Sequence, residues 1–381
     1  MCNIDTKPII FSFFSGSGFL DLGFENSGFD IRFVNEIHKP FYSAYIHSRE
    51  IMGLPTPLYG HHLDSIEEYI YGNKKKFLKD IVKESKNENV VGFIGGPPCP
   101  DFSTGGKNLG HQGDHGRLTK EYIELIITHK PDFFLFENVK GLWKTEKHRK
   151  FYDEMKNTLN LKGYVITDYL ANSLEYGAPQ ERERILLFGV RKKSIINKSN
   201  KNIDSIFPWR KYISFDKNNI PPKSHWPQKE IYTPNSVKEL PTELSPFISL
   251  TVEYWFRKNN ILNHPNSLHY FQPRKGIIKF KTIMEGDDSG KSFKRLHRWR
   301  YSPTTAYGNN EVHLHPYQNR RLSAAEALAI QSLPKEFELP ASMSLTDMFK
   351  TIGNGVPYLL SKAIAQSIFD FLIDNVKKRK S

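Results

Sequence analysis

The chain has 381 residues, with 54 Lys and Arg, 41 Asp and Glu, and a formal net charge of +13. This length allows about two or three domains, and the 2 cysteines exclude a disulfide framework and a zinc site made mainly of cysteine. No apolar stretch approaches the roughly 18 residues of a membrane span, and Asp5 and Lys7 precede the first apolar run, so we expect a soluble, cytoplasmic protein with no membrane partner.

Residues 1–190 alternate strand-like and helix-like segments. The six predicted strands are Ile9–Phe14, Ile31–Asn35, Val90–Ile94, Phe133–Phe136, Tyr164–Leu170 and Arg184–Val190. Helical patterns lie between them, the clearest at Leu118–His129 and Phe151–Leu161. Because such alternation is typical of sheets covered by helices on both faces, we predict an α/β fold with a doubly wound, mostly parallel sheet.

The composition changes after Val190. Residues 191–311 are rich in Lys, Asn, Pro, Trp and His and have no long hydrophobic period, which predicts a second, smaller and irregular domain. Between Arg191 and Arg300 there are 22 Lys and Arg against 9 Asp and Glu, so this segment carries the whole excess of +13. Concentrated positive charge favours binding to nucleic-acid phosphates; a basic surface that serves solubility is the alternative.

Regular helices are predicted again towards the end of the chain. Ser323–Gln331 is amphipathic, and Ser323 with Glu326 has the spacing of a capping box. A final helix, Tyr358–Asn375, follows the turn Ile352-Gly353-Asn354-Gly355-Val356-Pro357. We therefore predict that residues 1–190 and 312–381 form one domain and that residues 191–311 form the other.

The first predicted strand ends in a glycine-rich loop, Phe14-Ser15-Gly16-Ser17-Gly18. Glycines at such a turn let backbone N–H groups approach a ligand at the start of a helix. The dinucleotide fingerprint needs a third glycine where Asp21 stands, which disfavours a nicotinamide cofactor. Glu36 closes the second strand, where it could bind ribose hydroxyls. A nucleoside cofactor without pyrophosphate fits this pair; an ordinary glycine turn beside a surface glutamate is the alternative.

Cys99 follows the third predicted strand, in the sequence Gly96-Pro97-Pro98-Cys99-Pro100. The three prolines fix the backbone φ angle and remove N–H donors, so the cysteine lies in a stiff loop. A rigidly held thiolate suits nucleophilic catalysis, in which the sulfur must meet its target atom in one geometry. A lone cysteine near a strand is also often a small buried apolar residue.

Polar groups also close two later strands. Glu137 ends the fourth predicted strand, where apolar surroundings would favour its neutral form and let it donate a proton. Arg182 and Arg184 share one face at the start of the sixth strand and could bind an anion or polarise a base carbonyl. The alternatives are structural: a nearby arginine pairs with Glu137, and the two arginines pair with Glu181 or Glu183.

In this order, the motifs resemble those of DNA (cytosine-5)-methyltransferases of bacterial restriction–modification systems. The resemblance covers residues 9–190 and 300–375. It rests on the Phe-x-Gly-x-Gly loop, the strand-end acid, Pro-Cys, Glu-Asn-Val, Gln-x-Arg-x-Arg, Arg-x-Leu-Ser-x-x-Glu and Gly-Asn-Gly-Val-Pro. The family keeps its target recognition domain in the variable stretch between these motifs, which here is the basic segment. The implied fold is the Rossmann-like sheet of S-adenosylmethionine-dependent methyltransferases.

The resemblance also implies a mechanism. The Cys99 thiolate attacks C6 of a cytosine flipped out of duplex DNA, Glu137 engages N3 and the exocyclic amine, and Arg182 holds O2 and orients Cys99. C5 then takes the methyl group of S-adenosyl-L-methionine, and β-elimination releases the cysteine. Arg184 is also expected to be a catalytic residue. Arg184 and Ser103 are expected to contact the phosphate of the flipped nucleotide or its surroundings.

Further contacts follow from the same resemblance. Those expected for S-adenosyl-L-methionine are Phe14, Ser15, Gly16, Gly18, Phe19, Glu36, Asp64, Pro97, Asn354 and Val356. Asp64 lies two residues after the family's usual acidic position, which His62 occupies, while Phe19 and Pro100 replace a common glycine and glutamine. Basic residues that could reach guanine edges or phosphates are Arg274, Lys275, Arg295, Arg298 and Arg300.

The expected partners are double-stranded DNA and, functionally, a cognate restriction endonuclease in a bacterial or archaeal cytoplasm, with the protein acting as a monomer and without a metal. One rival is a tRNA cytosine-5 methyltransferase of the same fold, which the long basic variable region disfavours. A catalytically inactive DNA-binding relative is disfavoured because Cys99, Glu137, Arg182 and Arg184 are all present.

Overall fold

A single seven-stranded sheet forms the centre of the protein. The computed structural model describes residues 7–98, 114–196, 203–273, 277–290, 293–305, 307 and 312–376. The strands are β1 (Ile9–Phe13), β2 (Asp30–Asn35), β3 (His61–His62), β4 (Val91–Gly95), β5 (Phe133–Val139), β6 (Tyr164–Asn172) and β7 (Glu183–Arg191). They lie in the order β3-β2-β1-β4-β5-β7-β6. Neighbouring strands from β3 to β5 are parallel, whereas β7 is antiparallel to both β5 and β6.

Helices surround this sheet and continue into the rest of the chain. Those in the described ranges are α1 (Phe19–Glu25), α2 (Lys39–Ile51), α3 (Glu67–Ile70), α4 (Lys75–Glu88), α5 (Asp114–His129), α6 (Lys140–Lys144), α7 (Glu146–Leu161), α8 (Ile203–Ile206), α9 (Val252–Lys258), α10 (Ile277–Thr282), α11 (Ala324–Ile330), α12 (Leu345–Asn354) and α13 (Tyr358–Asn375).

Both faces of the sheet are buried, which explains why β1 and β4 are continuous apolar runs. Phe11 and Phe13 point to one face, where they pack with side chains of α4, α5 and α7. Ile10 and Ile94 point to the other face and pack with side chains of α1, α2 and α13. Because β1, β2, β4 and β5 are parallel, their carboxyl ends meet at one edge of this covered sheet.

The predicted fold class is confirmed. All six predicted strands are present, the capping box of Ser323 and Glu326 is formed, and the last helix has the predicted bounds Tyr358–Asn375. Strand β3 was not predicted, because a two-residue strand of histidines has neither alternation nor an apolar run.

The segment after β7 is not isolated from the sheet. Ile203, Phe207 and Trp209 pack in the same cluster as Phe371 of α13. Farther along, Trp226, Leu244, Leu250, Trp299 and Tyr301 form a small cluster of their own with Leu174. Side chains of α9 pack with those of α11 and α12 in a third cluster. The division at residues 190 and 312 thus stays a prediction, and apolar contacts cross both boundaries.

None of the helices in the described part of the chain is by itself long and apolar enough to cross a membrane. Only α12 and α13 taken together meet that criterion, across a bend of 40°. Both are core helices, because Phe349, Ile352, Leu360 and Ile368 are buried among other side chains.

Candidate active site at the carboxyl ends of the strands

The loop after β1 has the backbone of a ligand-binding turn. Phe14, Gly16 and Gly18 have positive φ angles of 52°, 57° and 82°. A Cβ atom on Gly18 would lie 2.4 Å from the Arg49 side chain, so this position requires glycine. A Cβ on Gly16 would meet only Thr351 Oγ1, at 4.0 Å, so the space beside Gly16 is open. The loop therefore leaves room for a ligand next to its backbone.

Buried side chains of α1 and α2 support this loop from below. Arg49 donates to the carbonyl oxygens of Gly18, at 2.7 Å, and Ser17, at 3.3 Å, and pairs with Glu25 at 2.9 Å. Asp21 accepts hydrogen bonds from the hydroxyls of Ser12 and Tyr45, both at 2.9 Å. Burial raises the pKa of Asp21 to about 6, although the charge of Arg49 opposes the rise. The loop is thus fixed by charged groups inside the protein.

Glu36 lies beside the loop, as predicted from its position at the end of β2. Its carboxylate accepts the N–H groups of Gly16, at 2.9 Å, and His38, at 2.7 Å. Burial raises the pKa of Glu36, and these backbone N–H groups and Lys350 partly offset the rise. Each carboxylate oxygen has two lone pairs, so Glu36 can still accept hydrogen bonds from ligand hydroxyls.

The turn between α12 and α13 closes the other side of the loop. Thr351 Oγ1 and Ser17 Oγ are 2.7 Å apart. Asn354 is exposed at the end of α12, whereas the side chain of Val356 is buried in the core beneath the turn. The Phe19 side chain packs edge-on against Phe337 and lies against Gly355, where even a Cβ atom would clash with its ring. The ring that replaces the family's glycine is therefore part of the core, and only the backbone of Phe19 is left for ligand contact.

Asp64 is held by its own neighbours. Its carboxylate accepts hydrogen bonds from Tyr69, at 2.9 Å, and Lys74, at 2.5 Å. Burial would raise the pKa of Asp64, but these two contacts lower it overall. His62 stacks on Phe33 with ring centroids 4.6 Å apart. The adenine-contacting role of Asp64 stays a prediction, and the geometry adds no support for it.

The loop and Glu36 fit a nucleoside ligand. The open space beside Gly16 faces a buried carboxylate that retains accepting capacity. The buried Ser15 Oγ has no hydrogen-bond partner among the described residues, so it is free to bind a polar ligand atom. These donors and acceptors match the amino acid and ribose groups of S-adenosyl-L-methionine. The loop lacks the third glycine that binding of a pyrophosphate would need.

Glu137 lies against the start of the Pro-Cys loop. A Cβ atom on Gly96 would be 2.7 Å from Glu137 Oε2, so the missing side chain of Gly96 makes room for the carboxylate. Asn138 Nδ2 donates to the carbonyl oxygen of Pro97 at 3.4 Å, which ties the end of β5 to the same loop. Strands β4 and β5 are parallel neighbours, so the sheet itself brings these two loops together.

An arginine pairs with Glu137, as the structural alternative expected. Arg184 Nε is 2.8 Å from Glu137 Oε1, although that oxygen has no well-aligned hydrogen bond. Burial nonetheless raises the pKa of Glu137, against the opposing charges of Arg184 and Arg182. The raised pKa makes the protonated form of Glu137, which can donate to a ligand, more accessible than that of an exposed glutamate. The other alternative was wrong: Glu183 pairs with Lys140, and within the described ranges no ion pair joins Glu181 or Glu183 to Arg182 or Arg184.

Arg182 is fully buried beside this pair. It donates to the carbonyl oxygens of Thr305, at 3.2 Å, and Gly353, at 2.7 Å, while its Nε atom has no partner in the described part of the chain. Burial lowers the pKa of Arg182 well below its usual range, and Arg184 adds to the effect. An unpaired donor in a buried site is available for a ligand oxygen.

Four predicted residues lie outside the described residues: Cys99, Ser103, Arg274 and Lys275. Gly96, Pro97 and Pro98 are described, so the position at which the Pro-Cys loop leaves β4 is defined.

The three remaining arginines of the DNA prediction are buried inside the basic segment. Arg295 stacks on Tyr232, 3.8 Å from its centroid, and donates to four backbone carbonyl oxygens. Arg298 forms two hydrogen bonds with Glu285, at 2.8 and 2.9 Å. Arg300 donates to the Gly286 carbonyl oxygen at 2.7 Å. Since their guanidinium groups are used within the protein, we propose a structural role for them in place of DNA contact.

One cluster of potential metal ligands occurs in the described ranges, formed by Glu230, Glu285 and His297. Lys238 Nζ lies 2.7 Å from Glu230 and 3.6 Å from Glu285, and Arg298 pairs with Glu285. Protein cations already neutralise these carboxylates, so the cluster serves the packing of the basic segment.

The sequence did not reveal Arg49 or Gln331 as parts of the site, whereas Gln180 belongs to the predicted Gln-x-Arg-x-Arg motif. Arg49 could have been found only from helical spacing, since it lies on α2 on the same face as Tyr45. Gln180 and Gln331 are fully buried polar residues, and nothing in their local sequence indicates burial.

Comparisons with known proteins agree with this geometry. The family model described as C-5 cytosine-specific DNA methylase matches residues 9–370. Type II methyltransferase M.NmeDI of Neisseria meningitidis serogroup C is 53% identical over 390 residues, covering 100% of this chain and 89% of that protein. Type II methyltransferase M.FnuDI of Fusobacterium nucleatum is 29% identical, with 97% of each covered. The crystal structure of S. pombe Dnmt2 methyltransferase shares the fold, with a TM-score of 0.58, 13% identity, and 97% and 99% coverage. The chain belongs to the C-5 cytosine-specific DNA methylase family.

Proposed function

We propose that this protein methylates C5 of one cytosine within a specific duplex DNA sequence, as the modification enzyme of a type II restriction–modification system. Membership of the family makes it a DNA (cytosine-5)-methyltransferase and implies a methyl donor. The observation that carries the proposal is the meeting of Glu137, Arg182 and the start of the Pro-Cys loop beside the glycine loop and Glu36.

The nucleophile in this proposal is Cys99, three residues after Gly96. A cytosine flipped into the site would place C6 against its thiolate, and a carbon–sulfur bond would form there. The electron pair of the C5–C6 double bond moves towards N3, so C5 becomes nucleophilic once N3 gains a proton. After methyl transfer, the C5 proton passes to a base, the carbon–sulfur bond breaks, and N3 returns its proton to the donor. The aromatic ring is thereby restored and Cys99 leaves as a thiolate.

Glu137 supplies the proton that N3 needs. Burial favours its neutral form, and Gly96 lets its carboxyl group approach the loop that carries the nucleophile. Arg184 holds the carboxyl group in place from β7. Arg182 offers its Nε, which has no partner among the described residues, to the cytosine O2 oxygen. Preorganised donors of this kind stabilise charge that develops during the reaction.

S-adenosyl-L-methionine, when bound, supplies the methyl group on its sulfonium. Glu36 would bind the ribose hydroxyls, and the N–H groups and carbonyl oxygens of the loop from Phe14 to Gly18 would hold the amino acid portion. Ser15 Oγ offers a further buried donor, and Asn354 closes the side formed by the α12–α13 turn.

The basic segment binds the DNA duplex in this proposal. Its excess charge of +13 would be attracted to phosphates, and exposed side chains such as Lys217, Lys229 and Lys281 carry part of that charge. We propose that the protein acts in the cytoplasm as a monomer on DNA and protects host DNA from a cognate endonuclease.

Covalent trapping tests this function. With S-adenosyl-L-methionine present, duplex DNA that carries 5-fluorocytosine in the target site should form a stable adduct, because fluorine at C5 blocks the final elimination. Cys99→Ala should form no adduct, and bisulfite sequencing of DNA from an expressing host identifies the target site. If the wild-type protein traps tRNA and not duplex DNA, the proposed substrate is wrong; if it traps neither, the catalytic proposal fails.

A further inference from the structure

We infer that Gln331 is a positioning residue that links the cytosine-binding and cofactor-binding halves of the active site, an inference that rests on the proposed function. Gln331 directly follows α11 and lies 151 residues after Gln180 in the sequence. It nevertheless joins a buried hydrogen-bond network that contacts Arg182 on one side and the α12–α13 turn on the other.

The first half of the network positions Arg182. Gln180 Oε1 accepts from Arg182 Nη1, at 3.4 Å, and from both the backbone N–H and the hydroxyl of Thr305, each at 3.1 Å. The Thr305 carbonyl oxygen accepts from Arg182 at 3.2 Å. Thr305 lies within residues 191–311, so this half connects the segment that would bind DNA to the arginine that would hold the base.

The second half of the network runs through Gln331. Its Oε1 accepts from Gln180 Nε2 at 3.1 Å, and its Nε2 donates to Thr305 Oγ1 at 3.2 Å. The same Nε2 donates to the carbonyl oxygen of Ile352 and, at 3.4 Å, to that of Gly355. Gln331 therefore holds the backbone on both sides of Asn354, a predicted cofactor contact.

The energetics favour a specific role for this amide. Gln180, Arg182, Thr305 and Gln331 are all fully buried, and α11 beside them is apolar except for Glu326 at its start. A buried amide adds stability only if its bonds are made, and an apolar side chain would pack here without that requirement. A fully connected network, in contrast, gives three distant segments one relative position. We therefore expect Gln331 to set the distance between base and methyl donor.

The test uses the full-length protein with Gln331→Met, which keeps the side-chain length and removes all the amide hydrogen bonds. The matched control is Asn259→Leu, which removes another buried amide. Among the described residues Asn259 Nδ2 donates to the Leu333 carbonyl oxygen at 2.9 Å and forms no hydrogen bond with Arg182 or the α12–α13 turn. The dissociation constant of S-adenosyl-L-methionine is measured by calorimetry without DNA. KM for the target duplex is measured at saturating cofactor, and Tm is measured by scanning fluorimetry.

Gln331→Met should raise both the cofactor dissociation constant and KM for DNA by about tenfold, the equivalent of about 1.4 kcal/mol each. Asn259→Leu should lower Tm and leave both constants within about twofold of wild type. Gln331→Glu keeps the acceptor for Gln180 but loses the donor to the α12–α13 turn, so it should weaken cofactor binding more than KM for DNA. This second variant gives the answer if Gln331→Met does not fold.

Two results would overturn the inference while leaving the proposed function intact. In one, Gln331→Met lowers Tm as the control does, with both constants unchanged, so that the residue is only structural. In the other, only one of the two constants changes, so that the halves are not linked. If wild-type protein neither binds the cofactor nor methylates DNA, the proposed function itself has failed and the inference fails with it.

Discussion

Replacing Asp21 by asparagine should change how stability depends on pH. Asp21 is fully buried under the glycine loop, and burial raises its pKa from 3.8 to about 6. The folded state thus binds a proton more tightly than the unfolded state. The stability that this gives is fully present below pH 3.8 and is lost as the pH rises through about 6.

The size of the effect follows from the two pKa values. A rise from 3.8 to about 6 costs the wild-type protein about 3 kcal/mol above pH 6, since one pKa unit equals about 1.4 kcal/mol. Asparagine carries no such cost, and it can still bond to the Ser12 and Tyr45 hydroxyls. For 381 residues, an unfolding entropy of about 2.1 cal/mol/K per residue converts 3 kcal/mol into about 4 °C.

The assay is thermal unfolding of the wild type and Asp21→Asn at several values from pH 4 to pH 8. The Tm of the variant minus that of the wild type should increase by about 4 °C across this range. Asp80→Asn, at an exposed position on α4, serves as the control and should show no such trend. A difference that does not change with pH would refute the reasoning, because Asp21 would then ionise in the folded protein as readily as in the unfolded chain.

Three further outcomes are expected. Glu137→Gln should lower kcat by about 10²–10⁴-fold in a methyl-transfer assay while binding of target duplex persists, because the proton donor for the base is lost; an unchanged kcat would contradict its role. Arg49→Lys should weaken binding of S-adenosyl-L-methionine by about tenfold in calorimetry, since lysine cannot hold both loop carbonyl oxygens, and kcat at saturating cofactor should be retained. Unchanged affinity would show that the loop keeps its shape without Arg49. Glu285→Gln should lower the unfolding free energy by about 3–5 kcal/mol, measured as a lower Tm, because it leaves the buried Arg298 without its carboxylate partner. A loss of DNA affinity with Tm unchanged would support the original prediction that Arg298 contacts DNA.

The catalytic motifs could be predicted because they lie at strand ends. The strands that precede Gly96 and Glu137 are apolar runs, and in a parallel sheet their carboxyl ends meet at one edge. The same reasoning placed Glu36 beside the glycine loop, where its carboxylate accepts the Gly16 N–H group. These relations follow from local pattern and sheet topology, so they need no knowledge of side-chain packing.

The DNA-contact residues could not be predicted in this way. Charge counting identified the basic segment, but it could not tell an exposed arginine from a buried one. Arg295, Arg298 and Arg300 are consecutive members of a basic cluster in sequence, yet each is enclosed by carbonyl oxygens or carboxylates from residues distant along the chain. Burial of a charge depends on such partners, and partners of this kind are brought together only by folding.

The sequence by itself determined the fold class, the glycine loop and the family, because each depends on residue order within one strand, turn or helix. Tertiary structure alone decided that Arg184 holds Glu137, that Phe19 fills the core beside Gly355, and that Gln331 joins Arg182 to the α12–α13 turn. Contacts of the second kind connect residues up to hundreds of positions apart, and their energy depends on burial and geometry that no local pattern records.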